Sequence, residues 1–291
     1  MIRFKLLIKT FLKKNLPNVF DIASIFYNQI LLKKKNNTKF SGLGFKSSTS
    51  LPWDGISKNK TSQGFIDAKK KIVEKIKSKE FYLAQLENYN ENVVFEDILN
   101  HFEELNYRHY HVYHSAIIAF ENTKSRNIVE CGVGAGMSAF FCMSYYKKDK
   151  TSKLYLYDSW EAMREKELKN KKDLERIGSY GYLNLDMTKK NLKDFSNHII
   201  YNKGFIPKSF ENSISPEQLS WLHIDLDSSL PTLETLKFFY PKLEKNGVVL
   251  INTYGFDGYE DTRNTVEDFF KNRKVHFLQL MTGQALIVKK E

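Results

Sequence analysis

The stretch Ile-Val-Glu-Cys-Gly-Val-Gly-Ala-Gly at residues 128–136 decides the fold of this chain. An apolar run reaches the acidic Glu130, and glycines then recur at every second position: Gly132, Gly134 and Gly136. A strand that ends in a glycine turn and opens a helix lets the backbone approach a ligand with no Cβ in the way. The dinucleotide fingerprint G-x-G-x-x-G does not fit, because Met137 occupies the position of its third glycine. The stretch therefore predicts either a site for another ligand or a purely structural glycine turn.

The order acidic-x-Gly-x-Gly-x-Gly resembles motif I of the class I S-adenosylmethionine methyltransferases. In that family the loop passes under the amino-acid end of the cofactor. The resemblance therefore implies S-adenosylmethionine as the cofactor. It assigns to the cofactor site Glu130, the three glycines, and Ser138 at the start of the predicted helix.

Length, charge and cysteine content bound the class of protein. The chain has 291 residues and a formal net charge of +11, so its surface should attract anions such as nucleic acid, anionic lipid or a phosphorylated substrate. A compositionally biased genome explains the same lysine excess equally well. The two cysteines, Cys131 and Cys142, are too few for a disulfide framework and fit a reducing cytosol. We therefore expect a cytoplasmic protein.

We expect residues 1–95 to form a helical and irregular accessory region. The basic start is followed by an apolar run too short for a signal peptide, and polar residues interrupt the apolar segment at 16–32, so no spanning helix is predicted. An accessory helix packed on its own domain is expected, and a basic segment in peripheral contact with a membrane is the alternative. Apolar positions at helical spacing predict a further helix over 65–90.

From about residue 126, short β-type runs alternate with helices, which is typical of a parallel sheet. The predicted strands are 126–130, 153–158, 198–202, 220–225, 247–252, 275–281 and 285–289. The predicted helices are 95–120, the stretch after the first strand, 184–195, 230–244 and 259–272. The closing hairpin after five alternating units matches the class I methyltransferase core. We therefore predict an α/β domain over 96–291 with a seven-stranded, mostly parallel, Rossmann-like sheet.

Two predicted strand ends carry candidate cofactor residues, because ligands of open parallel sheets bind at the carboxyl ends of the strands. The second strand ends at Asp158, whose carboxylate can accept hydrogen bonds from both ribose hydroxyls. A helix N-cap formed with Ser159 is a compatible alternative. The third strand is followed by Gly204 and Phe205, which suit an adenine slot or an ordinary turn.

Two acids, Asp225 and Asp227, stand at the tip of the predicted fourth strand. Unpaired carboxylates are costly to bury, so two of them at a strand tip seldom serve packing. Methyl transfer to a hydroxyl is helped by removal of its proton. Asp225 is therefore the first candidate for a general base or an acceptor-orienting group that also faces the cofactor, with Asp227 behind it. Helix capping before Ser228 is the alternative for Asp227.

Residues 126–291 resemble the macrocin (TylF/MycF-type) O-methyltransferases, which methylate sugar hydroxyls on macrolides and related glycosides. Residues 129–136 correspond to V-E-x-G-V-x-x-G, and residues 157–161 resemble F-D-S-F-E. Residues 203–205 resemble K-G-x-F, residues 222–227 stand where the family has L-x-x-D-x-D, and residues 240–249 resemble Y-P-x-L-x-x-G-G-V-V. The resemblance implies an S-adenosylmethionine-dependent O-methyltransferase acting on a sugar or glycosylated small molecule.

One departure from this family concerns its metal. Where the family has D-D-Y, this chain has Asn252, Thr253 and Tyr254. In the family both aspartates and the first acid of D-x-D hold a magnesium ion that orients the sugar diol. The resemblance thus implies Mg²⁺ ligands at Asp225 and Asn252. A hard divalent ion prefers several charged oxygens, so the affinity should fall steeply or the ion should be absent.

Two further segments are candidates for the acceptor side. On a helix His111 and His114 share a face, which allows a catalytic base or a metal pair, although an aromatic lining of the acceptor pocket fits better. Residues 161–183 form a long connection over the predicted crevice, which indicates a lid or a surface insertion without function.

The sequence leaves two other functions open. The net charge of +11 suggests a nucleic-acid methyltransferase, but no N-P-P-Y-type tetrapeptide follows the fourth strand to seat a flipped base. The lost acid pair suggests a non-catalytic cofactor-fold binding protein. We expect a small-molecule or glycan acceptor as the partner, with self-association into a homo-oligomer as an open alternative.

Overall fold

The computed structural model describes one compact unit of the chain, through residues 60–78, 80–81, 106–168, 176–256 and 258–291. The predicted membrane-contacting segment lies outside the described residues, as does most of the predicted accessory region. The domain boundary at residue 96 therefore stays a prediction. None of the helices in the described ranges combines the length and apolar character that crossing a membrane requires.

Seven strands form one sheet in the order β3-β2-β1-β4-β5-β7-β6. They are β1 (Asn127–Cys131), β2 (Lys153–Asp158), β3 (Ile199–Lys203), β4 (Leu219–Ile224), β5 (Leu243–Ile251), β6 (Val275–Gln279) and β7 (Ala285–Lys289). Strands β1 to β5 run parallel, and β7 lies antiparallel between β5 and β6. The predicted α/β class, mostly parallel sheet and closing hairpin are confirmed.

Six α-helices are described: α1 (Lys60–Lys77), α2 (Asn106–Asn122), α3 (Met137–Tyr146), α4 (Leu185–Asn191), α5 (Ser229–Phe239) and α6 (Glu260–Phe270). The predicted helix over 230–244 was too long, because Pro241 has no N–H to continue the helix. A 3₁₀ turn at Tyr240–Lys242 follows instead, and Leu243 already begins β5. The predicted helix over 184–195 ends at Asn191, before a 3₁₀ segment at Lys193–His198.

The two faces of the sheet carry separate apolar layers. On one face, side chains of α1, α2 and α3 pack together, and the rings of Phe65 and Phe141 stack with centroids 5.1 Å apart. On the other face, Leu236 and Phe239 of α5 pack with Val266 of α6. The order of strands reverses at β1, which is flanked by β2 on one side and β4 on the other. Open α/β sheets bind ligands at such a point, outside the carboxyl ends of the strands.

Candidate active site

The glycine loop (residues 132–136) passes directly over the carboxyl end of β4. A Cβ on Gly132 would lie 1.9 Å from the backbone oxygen of Asp225, and the φ of Gly132 is +84°. The Gly132 N–H also donates to the Tyr157 carbonyl in β2, with an N···O distance of 2.9 Å. Only glycine satisfies both the close contact and the left-handed backbone, so this residue fixes the loop against both neighbouring strands.

Asp158, at the end of β2, holds the glycine loop from the other side. One carboxylate oxygen accepts the N–H groups of Val133 and Gly134 at 2.7 and 2.9 Å, and the other accepts the Trp160 N–H at 2.7 Å. Burial raises the pKa of Asp158, and the bonds from these backbone N–H groups lower it. The carboxylate therefore organises the loop. Its predicted contact with a ribose stays a prediction.

A second layer of polar contacts, which the sequence reasoning missed, anchors the carbonyl groups of the loop. The buried Trp160 donates its indole N–H to Thr188 at 2.8 Å and to the Gly134 carbonyl at 3.2 Å. Thr188 donates to the same carbonyl and Asn191 donates to Ala135, both at 2.8 Å. The sequence spacing could have identified these two residues, because Thr188 and Asn191 lie three positions apart and so share one face of α4.

Glu130 forms a buried pair with His223. Their exposed fractions are 1% and 0%, and Glu130 Oε1 lies 3.0 Å from His223 Nδ1. Burial raises the pKa of Glu130 well above its usual range and lowers the pKa of His223 to about 4. The His223 ring also stacks on Trp221. The structure thus places Glu130 in a buried pair, and its predicted contact with a cofactor stays a prediction.

Asp225 follows β4, and one of its carboxylate oxygens accepts hydrogen bonds from two nitrogen donors. Arg108 Nη2 lies 2.9 Å and Asn252 Nδ2 lies 2.6 Å from Asp225 Oδ2. Burial raises the pKa of Asp225, whereas the Arg108 guanidinium lowers it. The structure therefore brings together two predicted site residues, Asp225 and Asn252, and adds Arg108 from the first turn of α2, which the sequence reasoning missed.

A buried polar chain supports this cluster from behind. Gln284 of the closing hairpin donates to Asn252 Oδ1 at 2.7 Å, and its own Oε1 lies 3.0 Å from His111 Nδ1. Thr282 also contacts His111, at 3.1 Å. Burial lowers the pKa of His111, which favours the neutral ring, and the hydrogen bond to Gln284 opposes this shift. His111 therefore supports the Asp225 cluster through Gln284, and His114 instead packs against the Tyr110 ring with centroids 4.0 Å apart.

Asp227 connects the tip of β4 to the predicted lid. Its carboxylate accepts a hydrogen bond from the Tyr180 hydroxyl, and its backbone oxygen accepts one from Arg176 at 3.3 Å. The guanidinium of Arg176 also lies over the Tyr259 ring at 4.0 Å. Ser228 rather than Asp227 precedes α5 as its N-cap residue. These contacts hold residues 176–182 over the crevice.

The remaining predicted residues lie around β2, β3 and the start of α3. The Gly204 N–H donates to the backbone oxygen of Asp158 at 2.8 Å, which places this glycine beside the end of β2. The Phe205 ring lies 3.2 Å from the guanidinium carbon of Arg164. Ser159 donates to the Glu161 carbonyl at 3.2 Å, and Ser138 lies in the first turn of α3. Gly204 and Ser159 therefore both border Asp158.

The side chains at the implied magnesium site do not fit the ion. Asn252 donates to Asp225 and accepts from Gln284, and the positive guanidinium of Arg108 bonds to the same carboxylate oxygen. Magnesium is bound in proteins through carboxylates, and Asp225 is the one acid left of the family's three. Within the described ranges, no group of three or more His, Cys, Asp or Glu side chains is arranged to hold a metal.

Comparisons with known proteins identify the family. The sequence pattern of the macrocin-O-methyltransferase (TylF) family matches residues 110–281, more than half of the chain. No curated protein is significantly similar to it in sequence.

Two solved structures are also similar to the chain. The O-methyltransferase NovP is 16% identical with a TM-score of 0.54, covering 63% of this chain and 80% of its own. CalS11, described as a calicheamicin methyltransferase, is 13% identical with a TM-score of 0.48, covering 82% of this chain and 99% of its own. The likeness to NovP shows the fold. The resemblance found in the sequence is confirmed, and the chain belongs to the macrocin-O-methyltransferase family of S-adenosylmethionine-dependent methyltransferases.

Proposed function

We propose that this methyltransferase methylates a hydroxyl of a sugar or glycosylated small molecule, with Asp225 orienting that hydroxyl and accepting its proton. The observation that carries the proposal is the position of Asp225. Its backbone oxygen lies under the glycine loop at Gly132, while its carboxylate reaches the polar cluster formed with Arg108 and Asn252. One residue thus borders both the predicted cofactor loop and the predicted acceptor side.

The loop residues fit S-adenosylmethionine, which supplies an electrophilic methyl group when it is bound. The positive-φ glycines Gly132, Gly134 and Gly136 leave three of the five loop positions without a side chain. Asp158 keeps the N–H groups of the loop in place, and one negative charge there suits a sulfonium cation. We propose that this loop and Asp158 bind the cofactor, and that Gly204 and Phe205 border its adenine.

The acceptor side supplies the proton chemistry. With S-adenosylmethionine bound, the O–CH₃ bond would form as the sulfonium S–CH₃ bond breaks and leaves a neutral thioether, and the hydroxyl proton would pass to Asp225. Burial raises the pKa of Asp225 toward the working pH, which makes its carboxylate a better general base than an exposed one. Asp227 acts behind it by fixing the lid through Tyr180. A closed lid excludes water and positions the two reactants.

The class of acceptor rests on the family. The macrocin O-methyltransferases methylate sugar hydroxyls, and the crevice of this chain presents donors and acceptors that match a polyhydroxylated ligand. Arg108 and Asn252 contribute N–H groups, and Asp225 contributes carboxylate oxygens. These charged and polar side chains contact one another in one small cluster, which favours a small molecule over nucleic acid.

A transfer assay tests this proposal. S-adenosylmethionine with a labelled methyl group is incubated with the full chain and a panel of nucleotide sugars, glycosides and RNA. We expect label on a sugar hydroxyl, and we expect Asp225→Asn to lower transfer at least about 100-fold while cofactor binding persists. Asp261→Asn, an exposed acid of α6, is the matched control and should keep full activity. Label on RNA alone would replace the proposal with the nucleic-acid function.

A further inference from the structure

Arg108 brings a permanent positive charge to the position where the family resemblance implies a divalent ion. Its Nη2 atom lies 2.9 Å from Asp225 Oδ2, and the two side chains are 22% and 27% exposed. A guanidinium stays charged at any working pH and offers five N–H donors in one plane. Among the described residues, Asp225 is the one carboxylate that Arg108 contacts, so further N–H groups remain to bind an acceptor oxygen.

The loss of two acids and the presence of Arg108 act in the same direction, because both disfavour a bound cation. With Asn252 and Thr253 in place of the two aspartates, the site has lost two negative charges. A dication beside the Arg108 guanidinium would be repelled, and a single carboxylate would have to neutralise both cations. The charges of Asp225 and Arg108 instead already cancel, because the two side chains form an ion pair. The chemistry of the donor set therefore suits an arginine better than a metal.

The arginine position is built into the fold. Gln284 is fully buried, donates to Asn252 at 2.7 Å, and also donates to the Arg108 carbonyl at 3.4 Å. The Phe256 ring lies 6.0 Å from the guanidinium carbon, within the range of a cation–π contact. Arg108 is thus held by Asp225 after β4, by Phe256 in the segment after β5 and by Gln284 just before β7, as a group that binds an acceptor needs to be.

We propose that Arg108 replaces the divalent metal in this enzyme, binding the acceptor hydroxyl next to Asp225, so that methyl transfer proceeds without a metal ion. The role of Arg108 toward the acceptor rests on the proposed function. The absence of metal binding does not, because it follows from the side chains alone.

The metal half of the proposal is tested without an acceptor. The full chain is freed of metal by chelation and titrated with Mn²⁺, and electron paramagnetic resonance measures the free ion. The wild-type protein should not bind Mn²⁺ more tightly than about 1 mM, and the triple substitution Arg108→Gln, Asn252→Asp, Thr253→Asp should bind at least about 10-fold more tightly. The double substitution that keeps Arg108 is the matched control and should bind more weakly than the triple one. Micromolar binding of Mn²⁺ by the wild-type chain would overturn the proposal.

The acceptor half uses the sugar that the transfer assay identifies. Arg108→Gln should raise the acceptor KM about 10- to 100-fold through loss of a charged hydrogen bond, with unchanged cofactor affinity by calorimetry. Arg108→Lys, which keeps the charge without the planar fork, should recover part of this loss. Transfer by the wild type should be insensitive to chelator. An unchanged KM in folded Arg108→Gln, or loss of transfer in chelator, contradicts the proposal. Failure of every sugar acceptor would instead defeat the proposed function and leave the Mn²⁺ result standing.

Discussion

Replacing Gly132 by alanine tests the structural basis of the glycine loop. The new methyl group would lie 1.9 Å from the backbone oxygen of Asp225 and 2.6 Å from its backbone carbon. Both neighbours are main chain, so neither can rotate away. The loop, the end of β4 or both must move to reach an ordinary contact distance. Because the displaced residues carry both the cofactor loop and Asp225, stability and cofactor binding should fall together.

Two contributions give the size of the effect. Alanine in a left-handed conformation, here at a φ of +84°, costs about 1–2 kcal/mol relative to a relaxed backbone. Forcing a methyl group into a filled space adds about 1–3 kcal/mol. We therefore expect Gly132→Ala to lower the free energy of unfolding by about 3 kcal/mol, or the melting temperature by about 6–12 °C for a domain of this size.

Gly178 supplies the matched control for this experiment. It has the same φ of +84°, but a Cβ there would meet no atom within 4 Å. Gly178→Ala should therefore lower the free energy of unfolding only by the cost of the left-handed backbone, about 1–2 kcal/mol. The assay is urea unfolding followed by circular dichroism, with calorimetric titration of S-adenosylmethionine. Equal losses of stability in the two variants, or unchanged cofactor binding in Gly132→Ala, would refute the close-contact argument.

Three further changes probe other parts of the site. Asp158→Ala removes the acceptor of three backbone N–H groups and should weaken S-adenosylmethionine binding at least about 10-fold in calorimetry; unchanged affinity would contradict this role. Tyr180→Phe deletes the hydroxyl bonded to Asp227 and should speed tryptic cleavage within the lid, whereas an unchanged rate would show that this bond does not hold it. His223 has a folded-state pKa of about 4, below its ordinary value, so the unfolded chain takes up the proton first as the pH falls. Stability should therefore decline between pH 6.5 and about 4, by about 2 kcal/mol at pH 5 from this group. His223→Gln should show a shallower decline in urea unfolding, and equal slopes would contradict this.

The sequence predicted the parts of the molecule that are local in the chain. Short apolar runs alternating with helices predicted the strands and the parallel direction of most of them. The positions of Asp158 and Asp225 followed, because the carboxyl ends of parallel strands share one edge of the sheet. The glycine spacing likewise identified the loop, since close approach demands a missing Cβ at Gly132. These features depend on short-range patterns, which a single sequence displays.

The rest depends on contacts between distant segments. Arg108 and Asp225 are 117 positions apart, and no local pattern links the first turn of α2 to the end of β4. Gln284 looks like an ordinary polar residue after a hairpin turn until the fold brings it beside Asn252. Asp227 was assigned to chemistry or capping, whereas its partner Tyr180 comes from the lid. Tertiary packing, rather than propensity, placed these side chains.

A crystal structure of the full chain with S-adenosylhomocysteine tests the proposed cofactor site most directly. The amino-acid end of the ligand should lie over the glycine loop, its ribose should contact Asp158, and its sulfur should face the carboxylate of Asp225. Ligand density away from this loop, or a sulfur turned away from Asp225, would contradict the proposed site.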